Sequence, residues 1–352
     1  MKKQFGLLLL ILFLVVSPAH SKDLVIVVKI SGSINPAVAE YVSHEINQAN
    51  ADQEALIVLH MDTPGGLDTS MRQIIKKIQG SQVPVASFVA PSGSRAASAG
   101  TFITIASHIA AMAPGTNIGA AHPVNMMGGG GESEQAKTME QKVVNDAAAY
   151  IRSLAELRKR NVHWAELAVV QSVSISAEEA KRLNVIDLIA GDVKALALAV
   201  DGREVQVASG SVTLKTGNLA IVYHEMNPRQ KFLDLISNPN VAYILMMLGL
   251  VGLYFELSNP GLVLPGVIGA ISLILALYAM QTLPINYAGL LLILFGVILF
   301  IAEISIMSYG LLSVSGVISI FLGSTMLIDS DDPALQISRA ILYPTLGLTV
   351  VL

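Results

Sequence analysis

FVAPSGSRAASAG, residues Phe88–Gly100, decides the fold class of this chain: an apolar strand runs into a Pro/Gly/Ser turn, and Ser98 then stands among small residues. Ala96 and Ala97 before it, and Ala99 and Gly100 after it, leave room for another backbone to lie over the hydroxyl. If Ala99–Ser107 is a helix, Ser98 sits at its N-terminus, where unpaired N–H groups favour negative charge on a nearby atom. A nucleophile whose reaction develops an oxyanion needs such a place. A plain helix-capping serine in a turn fits the same residues.

Working outward, Leu24–Ile30 (LVIVVKI) and Ala55–Met61 (ALIVLHM) read as buried strands, and Val83–Ala90 is a third. Asn35–Asn50, with Val38, Tyr41, Val42 and Ile46 at helical spacing, and Met71–Ile78 read as the helices between them. Continuous apolar strands alternating with helices predict a parallel sheet covered on both faces. The second strand ends in Asp62-Thr63-Pro64-Gly65-Gly66. Paired glycines there allow positive φ and a close backbone approach, at the sheet edge where such folds bind ligands. An ordinary Pro-Gly-Gly turn is the alternative.

The chain has 352 residues, enough for two or three domains. At 53% hydrophobic and 14% charged it is too apolar for a purely soluble protein. The excess lies in two places. Lys2 and Lys3, the apolar run Leu7–Val16 and the small residues around His20 form a secretory signal over 1–21, cut after Ser21 or kept as an anchor. The second is the C-terminal region, where no Lys or Arg occurs between Lys231 and Arg339. Apolar runs there at Val241–Phe255, Leu262–Met280, Ile285–Ile301 and Tyr309–Ile328 suit membrane spans, and a fifth begins near Ala340 and reaches Leu352, so the natural chain is expected to continue. Expected domains are therefore 22–230, exported, and 231–352, in the membrane. Without cysteine there is no disulfide frame, metal–thiolate site or cysteine nucleophile. No histidine pair has metal-ligand spacing, so neither metal nor cofactor is expected. A net charge of −4 without a basic cluster gives no reason to expect nucleic acid.

MDTPGG at 61–66, APSGSRAASAGTFI at 90–103, MAPGTNIGAAHPV at 112–124 and KVVNDAAAYIRSLA at 142–155 resemble the NfeD-type membrane-bound serine proteases. That family shares the ClpP/crotonase-like fold with the Clp protease subunit and signal peptide peptidase A. The resemblance implies an α/β ClpP/crotonase-like domain followed by transmembrane helices, and a Ser/Lys dyad in which the nucleophile falls on Ser98 and the lysine on Lys142. The backbone N–H groups of Gly66 and Ala99 would be the oxyanion donors. It also implies an apolar peptide substrate, a stomatin- or prohibitin-like partner, a homo-oligomer and a location in the inner membrane; the signal at 1–21 alone puts the first domain on the periplasmic or extracellular side.

Serine is a poor nucleophile until a base takes its proton, and a lysine serves only when neutral, a state that desolvation favours. Lys142 falls in a helical pattern over 135–159 whose apolar stripe is Met139, Val143, Ala147, Ile151 and Leu154, at the border where it is expected to turn inward. A solvated pair with Asp146, one turn on, is the alternative, and Lys137 is the competing amine. His122 is the runner-up base, 24 residues after Ser98. The Clp-like triad needs an acid to orient it, and Ser172 stands where that acid would be.

Met126–Gly131 (MMGGGG) reads as a lid or a linker, Ser176 and Glu179 as a capping box, and Asp201-Gly202 as a hairpin turn. His60 and His108 read as packed or hydrogen-bonded. Glu256-Leu-Ser and Glu303-Ile-Ser lie 47 residues apart, an offset kept by Gly269/Gly316 and Ser272/Ser319, which predicts two similar helix pairs. The two glutamates mark a proton path or an interfacial position. A non-proteolytic scaffold is the main alternative to the protease, and a crotonase-like acyl-CoA enzyme is disfavoured because an exported domain would not meet coenzyme A.

Overall fold

The computed structural model describes residues 24–123, 134–259, 261, 263–280, 283, 285–306, 308–328 and 336–351. The expected signal at 1–21 and the glycine run at 126–131 lie outside them.

The first half alternates as read: β1 (Val25–Ser31), α1 (Pro36–Asp52), β2 (Leu56–Asp62), α2 (Asp68–Gln79) and β3 (Val85–Val89). A short β4 (Arg95–Ala97), α3 (Ala99–Ala106), β5 (Ile109–Met112) and β6 (Asn117–Gly119) follow. After α4 (Glu134–Leu157) and α5 (Val162–Val170) come β7 (Ser174–Ser176), α6 (Ala177–Arg182), β8 (Leu188–Ile189) and α7 (Val193–Val200). The domain closes with β9 (Glu204–Val207), β10 (Gly210–Thr213) and β11 (Ile221–His224).

Six strands pair in the order β11-β1-β2-β3-β5-β8, and every pairing is parallel. The continuous apolar runs have a simple cause. Alternate residues feed two cores, Ile26, Val28 and Ile30 facing α1 to α5, while Val25 and Val27 face α7 and the β9–β10 hairpin. Each fully buried Ile, Leu or Val contributes about 1.5–3 kcal/mol, so neither face tolerates a polar alternation. A second sheet, β4-β6-β7, lies beyond the carboxyl ends of the main strands, joined to β2 through the Thr63–Ala96 bridge.

Two local readings change. The hairpin turn falls at Ala208-Ser209, between β9 and β10, and Asp201 instead accepts the N–H groups of Thr216 (2.6 Å) and Gly217 (3.0 Å). Ser176 does cap α6, accepting from Glu179 N at 3.3 Å, but the Glu179 carboxylate turns to Arg182, so the reciprocal half of the box is not made.

His108 shows how tightly the core is closed. It is 7% exposed, its Nδ1 accepts from Val85 N at 3.1 Å, and burial together with the Arg158 and Arg160 charges pushes its pKa down to about 3. The folded ring stays neutral while the unfolded one takes a proton near pH 6.5, so stability is lost as pH falls below 6.5 towards 3. That loss is about 1.4 kcal/mol per pH unit. His108→Gln, which keeps an acceptor, should flatten this limb relative to wild type when unfolding is followed by Trp164, the one tryptophan.

The chain then enters α8 (Pro228–Ile236), α9 (Pro239–Ser258), α10 (Val263–Met280), α11 (Tyr287–Ser305), α12 (Leu311–Met326) and α13 (Arg339–Val351). Three of these, over 239–258, 263–280 and 287–304, are long and apolar enough to cross a membrane. The internal repeat is structural. Gly249 lies on Gly269 so closely that an added Cβ would come within 3.0 Å of the Gly269 carbonyl, and Gly296 meets the Gly316 carbonyl at 2.7 Å in the same way. These pairs are 47 residues apart. Close glycine contacts of this kind let apolar helices associate by packing where the hydrophobic effect is weak. Glu303 accepts from Ser308 Oγ (2.6 Å), Gly310 N (3.1 Å) and Ser313 N (3.1 Å), which makes it a cap for the start of α12.

Candidate active site

Beyond β2 the chain is held edge-on to β4. Thr63 N donates to the Arg95 carbonyl (2.8 Å) and Ala97 N to the Thr63 carbonyl (3.1 Å). The Thr63 hydroxyl receives Gly65 N at 3.1 Å, which turns the chain sharply into the two glycines. Gly65 has φ +132° and Gly66 φ +155°, angles that side-chain-bearing residues rarely adopt. An added Cβ on Gly65 would lie 2.7 Å from Ser98 Cβ and 3.2 Å from its Oγ, so this backbone rests directly against the serine. One on Gly66 would lie 2.3 Å from the Ile34 carbonyl oxygen, because the loop after β1 is packed on its other side. Ile34 N donates to Gly65 O (2.8 Å) and Leu67 N to Ile34 O (3.0 Å).

Ser98 stands at the start of α3 with φ 50° and ψ −115°, a sharp strand-to-helix turn strained for a residue with a side chain. Its hydroxyl does not cap the helix, which removes the plain reading of this residue. Among the described residues Ser98 Oγ has no hydrogen-bond partner, and neither do the N–H groups of Gly66 and Ala99. The strain is held from below. Ser98 N donates to Gly119 O (3.0 Å), Thr101 N to Ser98 O (2.9 Å), and the buried Thr101 hydroxyl accepts from Gly119 N (3.1 Å) with its one proton shared between Ala96 O (2.9 Å) and Gly119 O (2.8 Å). Gly100 has to be glycine: a Cβ there would lie 2.6 Å from Thr63 Cγ2.

The lysine-bearing helix is placed less closely than the sequence suggests. Its buried face is Val144, Ala147, Ala148, Ile151, Leu154 and Ala155, whereas Met139 and Val143 are 59% and 45% exposed. The stripe is therefore rotated from the expected one at its start, and Lys142 is exposed rather than turned inward. It makes no hydrogen bond to Ser98 and no ion pair with Asp146. Asp146 is taken by Arg72, at 2.6 Å, which also holds Asp68 at 2.8 Å and lies 4.4 Å over the Tyr150 ring. Burial works against the Arg72 charge, and the two carboxylates more than offset it, raising its pKa.

This clamp ties α4 to the first turn of α2, just after Gly66. Tyr150 stacks on Phe102 at 6.0 Å, and the Arg158 and Arg160 guanidinium groups donate to the carbonyls of Ala106 and Thr104 near the end of α3. α3 and α4 thus run the same way. Lys142, two turns before Tyr150, is carried about 12 Å back towards the Ser98 end. Lys137 is exposed as well.

His122 is half-buried, and its Nδ1 lies 2.8 Å from the Val169 carbonyl. A carbonyl only accepts, so Nδ1 carries the proton and Nε2 is left as the basic nitrogen. The group that orients the His122 ring is thus a backbone oxygen, while Ser172 is exposed and makes no hydrogen bond to the ring. The residues that sequence reasoning missed are this carbonyl, the Arg72 clamp, and Ile34 with Thr63 and Thr101, which fix the two turns. An arginine four residues after Asp68 was the one visible signal among them.

Residues 24–217 match the family model described as the NfeD1b N-terminal domain, and residues 240–352 that of the NfeD integral membrane domain. Membrane-bound protease PH1510 of Pyrococcus horikoshii is 35% identical over 323 residues, 91% of this chain and 72% of that one. Membrane protein NfeD1b of Bacillus subtilis is 27% identical over 308 residues, 86% of this chain and 68% of that one. The solved 1510-N membrane-bound stomatin-specific protease, as a lysine-to-alanine mutant in complex with a substrate peptide, superposes with a TM-score of 0.54 at 34% identity, over 60% of this chain and 96% of that one. A serine-to-alanine mutant of the same protease gives a TM-score of 0.54 at 34% identity, over 58% and 99%. The fold read from the sequence, a ClpP/crotonase-like parallel-sheet domain followed by apolar helices, is the one these comparisons return.

Proposed function

Because this chain belongs to the NfeD family, we propose that it is a membrane-anchored serine endopeptidase with Ser98 as nucleophile and Lys142 as general base. Ser98 Oγ adds to the carbonyl carbon of a peptide bond and its proton passes to Lys142 Nζ. The oxyanion so formed accepts from the N–H groups of Gly66 and Ala99. Collapse breaks the C–N bond, the leaving amine takes the proton from Lys142, and water then hydrolyses the ester with the same amine as base. The observation that carries this reading is the uncapped, strained Ser98 pressed on Gly65 between two unpaired N–H groups.

The exposed Met139 and Val143 flank Lys142, so an apolar peptide strand covering them would take the amine out of water and close it on the hydroxyl. Such a strand fits the apolar segments of membrane-associated proteins. A stomatin- or prohibitin-like protein is the partner, in line with the stomatin specificity of the related 1510-N protease. In this reading the protein is a homo-oligomer in the inner membrane, with the first domain on the periplasmic or extracellular side. Support for the dyad comes from the relative's structures, in which a serine and a lysine are the residues replaced.

A second reading, a Ser98/His122 hydrolase, rests on the Val169 carbonyl that orients the ring. A serine-reactive phosphonate carried on an apolar peptide, long enough to cover the start of α4, separates the readings. It should label Ser98 in wild type, fail on Ser98→Ala, and label Lys142→Ala at least about tenfold more slowly with His122→Ala close to wild type. No labelling of the wild type would favour the non-proteolytic scaffold.

A further inference from the structure

The junction between the two domains reaches the catalytic loop through one side chain. α8 packs on α1 and on the first two membrane helices, α9 and α10. From α8, Asp234 Oδ1 accepts from Asn35 Nδ2 at 2.7 Å. Asn35 is 8% exposed, and its own Oδ1 is already engaged as the cap of α1, accepting from Val38 N at 3.0 Å. Its amide orientation is therefore fixed, and the Nδ2 group faces Asp234. The residue before it, Ile34, is the one whose N–H and C=O clasp Gly65 O and Leu67 N, and whose backbone lies flat on Gly66. Asp234, Asn35, Ile34 and Gly66 thus form a continuous run of contacts from a helix beside the membrane to an oxyanion donor. The edge strand β11 is pinned to α1, the helix that Asn35 caps, since Tyr41 Oη donates to the His224 carbonyl (2.7 Å) and His224 Nδ1 meets Glu45 at 2.6 Å.

We infer that Asp234 is a positioning residue for the Gly65–Gly66 turn, so that the seating of α8 on the membrane helices sets the geometry of the oxyanion site. This rests on the protease reading for its catalytic consequence and on the hydrogen bonds alone for the coupling. The Gly66 N–H is held by no hydrogen bond of its own, so its direction follows Ile34. A nearly buried donor that loses its carboxylate acceptor moves to find another. Movement of Asn35 carries Ile34 with it through the peptide bond, and Ile34 carries the turn through its hydrogen bonds to Gly65 O and Leu67 N.

The test uses the full chain in detergent or proteoliposomes. Asp234→Ala should raise amide exchange at Ile34 and Leu67 about tenfold, and should lower kcat for an apolar peptide about tenfold with KM nearly unchanged. Asn35→Asp alone sets two carboxylates together and should act likewise. Asn35→Asp combined with Asp234→Asn reverses donor and acceptor, keeps the cap, and should restore both readouts. Unchanged exchange at Ile34 and Leu67 in Asp234→Ala overturns the coupling. Raised exchange with an unaltered kcat overturns the positioning role. A wild type that cleaves nothing counts against the protease reading alone, and the exchange measurement then decides the coupling by itself.

Discussion

Ser98→Ala is expected to abolish peptide cleavage and Lys142→Ala to lower kcat by about 10³-fold or more, with both variants folded. The size of the first effect follows from the site. The Thr63 hydroxyl is already engaged by Gly65 N, whereas among the described residues the Ser98 hydroxyl against Gly65 has no hydrogen-bond partner and is flanked by the two unpaired N–H groups. The second effect is the more demanding, because Lys142 is solvent-exposed in the unliganded chain. Its part depends on substrate covering the start of α4. Truncating the amine should then depress kcat while leaving KM within a few fold, since proton transfer and not ground-state binding is lost. His122→Ala, by contrast, should retain more than about a tenth of the activity if the lysine is the base. The opposite pattern, a dead His122→Ala and an active Lys142→Ala, transfers the base role to the imidazole that Val169 holds. Kinetics of the three variants on one apolar peptide, with thermal unfolding as the folding control, decide between them.

Most of the first domain was legible because its signals are local. Apolar runs with helices between them fix a parallel sheet, and a serine among small residues after a strand fixes a crowded turn. The two glycines of the β2 turn were legible as freedom of φ, although only the structure shows what each meets, Ser98 for one and Ile34 for the other. The lysine was harder. Helical periodicity marks which residues share a face but not where a long helix leaves its core, and α4 outruns α3 at its start, so Met139 and Val143 are left uncovered. The orienting group for His122 was not legible at all, since a backbone carbonyl leaves no trace in residue type. Asp146 illustrates a third kind of miss. The nearest opposite charge in sequence was Lys142, but Arg72, from another helix, has the planar fork and the fixed ring beneath it, and takes the carboxylate.

The membrane half shows the same division. The repeat was visible as spaced Glu, Gly and Ser, and the structure turns that spacing into matched glycine contacts in the α9–α10 and α11–α12 pairs. From sequence Glu303 reads as part of a proton path or as an interfacial residue beside the 308–310 loop. Three donors converging on its carboxylate favour capping, because they hold the anion in place.

Gly66→Ala should lower kcat by about 10²–10³-fold, the scale of losing one oxyanion donor, and should lower stability by about 1–3 kcal/mol. The added Cβ would lie 2.3 Å from Ile34 O, 2.5 Å from Ile34 N and 2.7 Å from Ile34 C. All three are backbone atoms, so no side chain can swing aside, and the turn itself must move. Its N–H then no longer points where the oxyanion forms. A phosphonate, whose adduct carries that oxygen, should react more slowly by a similar factor, which ties the loss to the donor rather than to substrate binding. Gly93→Ala is the matched control. Gly93 also has a positive φ, +90°, in the turn before Ser98, but an added Cβ there meets nothing within 4 Å. It therefore carries the backbone strain without the collision, and should cost about 1 kcal/mol of stability with near-normal kcat. If the two variants lose activity equally, backbone strain and not donor placement governs the site. If Gly66→Ala keeps wild-type kcat, the oxyanion donor lies elsewhere, and the adjacent N–H of Gly100 becomes the one to examine.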